Sequence, residues 1–387
     1  MTRPVQEPDW KSSRWFNGPG FSVYRQGRFI IVELEEAHRV LTTSSCVGGL
    51  REDIRYLVNH QSCEANEHVE RYSKISGLGL EGYHRAICQE LALPFGEAAV
   101  MGTAANMIYA AHETLSFDEL RVDAIVTAGV EGNASCAGDP ARWIETPSGW
   151  NKLAPVAGTI NTIVMVNQQL KPEAQVRALI TATEGKTAAL LELGISSRYS
   201  QDLATGTGTD QVCLAAPVVE GRYAYASASP HTKLGEMLGL SVRVATRRAL
   251  QWQNGLEASL TRSLVHALRR FGFSETTFIE AMRVRLGEPL IHLLEKNRNA
   301  VLYEPQVAAA AYAFTAVWDR LRFGVLPASA GRDVLRQQAA LVAASLSART
   351  EAWHRFWQQL DVNMDQPLEV IYDALALGWT AKWESKD

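Results

Sequence analysis

Cysteine is scarce in this chain: five in 387 residues, scattered, with no CxxC pair. That excludes a disulfide framework and a thiolate zinc ribbon, and leaves buried free thiols in a reducing compartment as the ordinary reading. An excess of one charge is also lacking. The 38 Lys and Arg against 42 Asp and Glu give a net charge of -4, which argues against a dominant nucleic-acid surface. Long apolar runs are missing too. Residues 307–317 are largely apolar but too few to span a bilayer. Residues 1–15 are polar and charged, without the apolar core of a secretion signal. The expectation is a cytoplasmic protein with no membrane span and no nucleic-acid partner.

What the chain does have is the composition of a folded protein, 47% hydrophobic and 21% charged. Its length suggests two domains. Short apolar runs at 21–24, 29–34, 39–43, 98–102, 122–127, 158–166 and 211–216 read as strands, bounded by polar or glycine breaks. Helices are expected over 81–93, from Pro172 to about Leu193, and from near Thr232. The fold class is therefore α/β: a mixed β-sheet core with covering helices. Beyond about residue 245 the texture turns helical, with candidates at 256–270, 276–296, 305–321, 334–344 and 351–360. Six of the ten tryptophans lie beyond residue 250. Trp353 and Trp357, four apart, share a helix face suited to core or interface packing. The expected organisation is a flexible segment 1–18, a catalytic domain 19–245, and a helical extension 246–387 able to mediate homo-oligomer contacts.

Two glycine-rich loops carry the chemical signal, residues 129–140 and 204–212. Each adjoins an apolar run and sets glycine, threonine or asparagine beside an acid. Glycine allows close backbone approach, while the polar residues supply hydrogen-bonding groups at short reach. Asp139 and Asp210 either fix their turns or tune a nearby base. The run 205–209 offers backbone donors to an oxyanion, and lacks the GKS or GKT continuation of a nucleotide-binding loop. On the helix from Pro172, an inward stripe is expected at Val176, Ile180, Thr183, Thr187 and Leu190. Glu184 and Lys186 would flank it.

His231, at a helix entrance, is the preferred general base. Thr159 and Asn161 share a strand face; the first is a nucleophile if activated, the second an oxyanion donor through its NH₂. Ser44 and Cys46 are alternative nucleophiles outside any GxSxG elbow. His60 and His68, with Glu64, Asn66 and Glu67, form no compact ligand set and no HExxH pattern, so no metal site is expected.

Eight fragments in order complete the picture: residues 41–49, 101–106, 127–134, 137–140, 158–161, 181–190, 205–211 and 231–235. With these, the region 20–245 resembles the adenosylcobinamide amidohydrolases of cobamide salvage. The resemblance implies hydrolysis of the amide that joins a corrin propionyl side chain to aminopropanol. The products would be adenosylcobyric acid and 1-aminopropan-2-ol. The cobalt would belong to the corrinoid substrate, with no cofactor of the protein's own. Glu131, Cys136 and Gly185 depart from the family pattern, standing where a small or hydroxylated residue, a basic residue and an alanine are common.

On this reading His231, oriented by Asp210 or Glu184, activates water, and Glu184 protonates the leaving amine. Covalent attack by Thr159 is the alternative. Substrate and oxyanion contacts are expected from Asn106, Asn133, Asp139, Asn161, Lys186, Gly206, Thr207 and Gly208. A non-catalytic corrinoid-binding or regulatory protein, or a hydrolase of another amide, is the competing function.

Overall fold

The computed structural model describes residues 8–62, 68–141, 143–147, 149–152 and 158–384. The chain divides into two compact units, Met1–Gly255 and Leu256–Asp387.

The first unit opens with β1 (Arg14–Gly18), β2 (Phe21–Gln26), β3 (Phe29–Leu34), β4 (His38–Thr42), β5 (Gly49–Arg51) and β6 (Tyr56–Gln61). Helix α1 (His68–Glu90), broken at Gly79 where φ is 66, leads to β7 (Ala98–Thr103), β8 (Ala111–Phe117) and β9 (Leu120–Ala128). There follow β10 (Ala134–Ser135), the hairpin of β11 (Trp143–Thr146) and β12 (Gly149–Lys152), β13 (Ile160–Val166) and α2 (Pro172–Glu192). The unit closes with β14 (Gly206–Thr207), β15 (Gln211–Pro217) and α3 (Lys233–Asn254).

Two mixed sheets face each other. One runs in the order β1-β2-β3-β6-β7, the other β5-β4-β15-β13-β9-β8. Parallel pairing is confined among these to β6 with β7 and β13 with β15. Between the sheets lie Val23, Val32, Leu57 and Met101 from the first and Val40, Ile125, Ile163 and Cys213 from the second. The outer face of the first sheet meets α1 through Ile31, Val58, Ile87 and Leu91. Helices α2 and α3 pack on each other and cover the outer face of the second. β13 is buried throughout, and β9 at all but one position, as their nearly unbroken apolar sequences require of strands covered on both faces.

The mixed sheet core and covering helices match the expected class, and three features correct the sequence reading. First, the segment expected to be flexible contributes β1, paired antiparallel with β2. Trp10 is buried and donates from Nε1 to the Leu91 carbonyl at 3.0 Å. Second, Val176 and Ile180 are exposed, at 50% and 43%. The buried face of α2 is formed by Ala174, Ala178, Ala182, Gly185 and Ala189, joined from the expected stripe by Leu190. Small residues win that face because α3 approaches so closely: a Cβ on Gly185 would stand 2.4 Å from the Gly239 carbonyl oxygen. Third, the change of texture near 245 falls inside α3, which runs to Asn254 and ends at left-handed Gly255, φ 63.

The second unit is all helix: α4 (Ala258–Thr261), α5 (Leu264–Leu268), α6 (Glu275–Arg285), α7 (Glu288–Leu302), α8 (Pro305–Arg322), α9 (Gly331–Ser347), α10 (Trp353–Gln359) and α11 (Glu369–Lys382). The stretches 256–270 and 276–296 are thus each broken. Ser263 caps α5 by accepting from the His266 N–H, and Gly287 with Pro289 restarts the chain as α7. Trp353 and Trp357 stack with ring centroids 6.5 Å apart against the unit's own core. Among the described residues no helix is long and apolar enough to cross a membrane.

Candidate active site

At one end of the second sheet, β9 leaves while β13 and β15 enter, and there the two glycine-rich loops interlock. Asp210 holds them. One of its oxygens accepts from the Ile160 N–H at 3.1 Å and the Thr207 hydroxyl at 2.5 Å. The other accepts from the Thr207 N–H at 3.1 Å and Lys186 Nζ at 2.5 Å. A carboxylate offers about four lone-pair sites, so this one is saturated. A Cβ on Gly206 would lie 2.5 Å from Asp210 Oδ2 and 2.7 Å from Lys186 Nζ. Only glycine permits that approach.

Asn133 ties the first loop to the second. Its Nδ2 donates to the Gly158 carbonyl at 3.0 Å and to Thr209 Oγ1 at 3.3 Å, while its Oδ1 accepts from the Tyr199 hydroxyl at 2.9 Å. The Thr209 hydroxyl also donates to the Gly158 carbonyl, at 2.9 Å. Two side-chain donors thus converge on one backbone oxygen, next to Thr159. The Thr159 and Thr209 hydroxyls lie 2.6 Å apart. Since Thr209 commits its proton to Gly158, Thr159 is the donor between them.

Asp139 accepts from the Cys136 N–H and the Ser197 hydroxyl, both at 2.6 Å. Burial alone would raise its carboxyl, but bonds from Ser197, Ser200 and the Cys136 N–H outweigh it and hold it below the ordinary carboxylate range. It fixes its turn.

Thr209 and Gln211 also line a cavity of about 210 Å³, with Cys46, His60, Tyr83 and Gly102 among its other walls. Gln211 Oε1 accepts from the Gly102 N–H at 3.2 Å. Asn161 Nδ2 donates to the Gly102 carbonyl at 3.2 Å and to Asn59 Oδ1 at 2.8 Å. Both of its amide hydrogens are therefore spent, and the oxyanion role expected of its NH₂ is not open to it. Its Oδ1 is a fully buried acceptor without a donor.

Several other expected residues lie apart. Exposed His231 precedes α3, and the first turn of that helix puts Lys233 Nζ 4.8 Å from the Phe117 ring centre, at the β8–β9 turn. At the far end of α3, Asn254 Oδ1 accepts from the Val130 N–H, and Gln253 Oε1 from the Asn106 N–H. A helix of 22 residues is about 33 Å long, so His231 stands at the end of the sheet opposite Asp210 and Thr159. It is not their base. Glu184 is exposed and faces Arg177 at 3.8 Å. It turns away because Lys186 and Thr187 occupy the side of α2 that meets the 205–210 loop. Asn106 is exposed and caps a short turn, accepting from the Ile108 N–H at 3.0 Å.

Two of the backbone donors expected of the 206–208 loop are also committed. The Thr207 N–H goes to Asp210 and the Gly208 N–H to the Asn133 carbonyl. Ser44 is buried, with its hydroxyl on the Val100 carbonyl. Burial, then the charge of Glu81, pushes the Cys46 thiol up, away from a reactive thiolate. The ring nitrogens of His60 meet the Met101 carbonyl and the Tyr83 hydroxyl, each at 3.1 Å. Glu64, Asn66, Glu67 and the side chain of His68 lie outside the described residues. Among those described, no group of three or more His, Cys, Asp or Glu stands together to hold a metal ion.

The family model of adenosylcobinamide amidohydrolase matches residues 19–258. The chain belongs to this family, one of amide hydrolases. It is 32% identical over 268 residues to the "Uncharacterized protein MJ1613" of Methanocaldococcus jannaschii, covering 66% of this chain and 99% of that protein. Among solved structures it is distantly similar to the PH0078 protein from Pyrococcus horikoshii OT3, at 12% identity and TM-score 0.32 over 61% of this chain and 82% of that one. A Burkholderia sp. beta-aminopeptidase gives 15% identity and TM-score 0.30 over 68% and 90%. The L-aminopeptidase D-Ala-esterase/amidase from Ochrobactrum anthropi gives 12% and 0.30 over 62% and 82%. Likenesses this distant say nothing about the chemistry of this site.

The sequence pattern pointed to both loops and to Thr159. It missed Tyr83, Thr209, Gln211 and Gly102, and took His60 only as a metal-ligand candidate. Gly102, Thr209 and Gln211 did sit in the motif fragments, but nothing in their spacing shows that they line one cavity across the two sheets.

Proposed function

We propose that the protein hydrolyses the aminopropanol amide of adenosylcobinamide to adenosylcobyric acid and 1-aminopropan-2-ol, with Thr159 as the attacking group. Membership of the family supports the reaction class. The observation that carries the mechanism is the 2.6 Å contact between the hydroxyls of Thr159 and Thr209, the latter on the cavity wall. Thr159 enters a fully buried strand whose first N–H is held by Asp210, so its hydroxyl stands on a rigid mount. Thr209 gives the departing hydroxyl proton a path toward the cavity. Asn133 Nδ2 already donates to a carbonyl oxygen beside the nucleophile, the kind of donor an oxyanion needs. A substrate carbonyl takes the Asn133 donor over from Gly158, while the Thr209 hydroxyl turns from Gly158 to the cavity and hands on its own proton as it accepts that of Thr159.

In this scheme Thr159 Oγ1 bonds the amide carbon and the C–N bond breaks. The amine leaves with a proton, and water then hydrolyses the ester, regenerating the hydroxyl. The cobalt is part of the substrate and the protein contributes no cofactor. The test is mass-spectrometric product analysis of the purified protein incubated with adenosylcobinamide, beside Thr159→Ala. Both products from the wild type and none from the variant are expected. Tight corrinoid binding without product would contradict the enzyme reading.

A further inference from the structure

The cavity beside Thr209 is small and its floor is tied to the strand that carries Thr159. Gln211 lies two residues beyond Thr209, and Asn161 two beyond Thr159. Together they grip both backbone groups of Gly102. In the β6–β7 ladder Gly102 stands opposite His60, and a Cβ on Gly102 would come within 3.1 Å of His60 Cε1. The imidazole therefore rests against the glycine and inherits its register.

The tautomer of His60 follows from its partners. Nδ1 faces the Met101 carbonyl, which only accepts, so Nδ1 carries the hydrogen. Nε2 of the neutral ring is then an acceptor, and the Tyr83 hydroxyl 3.1 Å away is the donor. Buried His60 stacks on Phe29 and is held on both nitrogens, so it presents Tyr83 at the cavity wall in one orientation.

We propose that this cavity receives the amine half of the scissile amide, and that Tyr83, positioned by His60, protonates the departing nitrogen. The inference rests on acyl transfer to Thr159 as proposed above. At about 210 Å³ the space falls below the roughly 300 Å³ at which pockets for drug-sized ligands begin. It suits a short hydroxyalkylamine, and a corrin macrocycle must stay outside. As the Thr159 oxygen bonds the carbonyl carbon and the C–N bond breaks, the Tyr83 O–H turns about its C–O bond from His60 Nε2 to the nitrogen and gives it the phenolic proton. The proton leaving Thr159 passes through Thr209 into the cavity and restores the phenol. Tyr83 is the catalytic group and His60 a positioning residue.

The experiment compares two substrates of the same acyl group: the natural amide, and its 4-nitrophenyl ester, whose leaving group needs no proton. Tyr83→Phe removes one hydroxyl and keeps the ring. It is expected to lower kcat on the amide by at least about 100-fold, in the range of general acid catalysis, and on the ester by no more than about threefold. His60→Gln is expected to give a smaller loss with the same split, which a merely structural role would not produce. Retained ester turnover shows that each variant is folded. Equal losses on both substrates, or an unchanged amide rate, overturn the proposal. Thr159→Ala, run alongside, separates the two claims: if it retains turnover, the nucleophile assignment fails whatever Tyr83 does.

Discussion

At one end of the six-stranded sheet, Asn133, Thr159, Lys186, Thr209 and Asp210 are locked to one another and to backbone groups. At the other end, His231 and Lys233 stand at the entrance to α3 beside the β8–β9 turn. By sequence His231, at a helix entrance, ranked first as the general base, with covalent attack by Thr159 as the alternative. Topology reverses the ranking. The parallel pairing of β13 and β15 brings their entry ends together, whereas the chain must traverse β15 before it reaches His231. Reactive residue types mark a candidate, and the ladder decides which candidates meet.

The largest test of that contrast is Thr159→Ala, expected to reduce amide turnover by at least about a thousandfold, roughly 4 kcal/mol in the barrier. Thr159→Ser should restore a measurable fraction, since it returns the hydroxyl. Next comes Asp210→Ala. It strips the Lys186 ammonium and three other donors of their acceptor. Because the side chains of Lys186 and Asp210 remain 14% and 18% exposed, the cost is discounted to about 2–3 kcal/mol. A melting experiment should show a Tm fall of about 4–12 °C.

Gly185→Ala attacks the α2–α3 crossing. The added methyl meets the Gly239 carbonyl at 2.4 Å, and a loss of about 1–3 kcal/mol in denaturant unfolding is expected. Smallest should be His231→Ala: turnover within about twofold of wild type and stability within about 0.5 kcal/mol. A large loss there would restore the discarded general base.

The pH dependence of stability offers an independent check. Burial holds the imidazoles of His38 and His84 below their ordinary value of 6.5. The unfolded chain therefore binds protons that the fold resists, and stability rises with pH wherever that difference exists. Their contribution is complete above about 6.5 and is lost as pH falls below it. Denaturant melts across that window should steepen on the acid side, and a double His38→Gln, His84→Gln variant should flatten the slope.

Much of the first unit was readable from pattern because its central strands are apolar on both faces: β9, β13 and β15 all appear close to their expected bounds. The strand β8 was not, since it lies at the sheet edge and carries His112, Glu113 and Thr114 in place of an apolar run. The phase of α2 was misread because hydrophobicity favours Val176 and Ile180, while the available space favours alanine and glycine. In the site, the acids beside glycine were visible, yet the turn-fixing and catalytic readings of Asp139 and Asp210 look alike until the donors around them are counted. The His60–Tyr83 contact joins β6 to α1 across 23 positions. No local pattern announces it.

The most direct measurement is the intact-protein mass after rapid mixing with adenosylcobinamide and acid quench, followed by peptide mapping. The account expects an adenosylcobyryl ester on the peptide that carries Thr159, formed and consumed at rates matching aminopropanol release and absent from Thr159→Ala. Full turnover by Thr159→Ala, with no adduct at any time in the wild type, would contradict it.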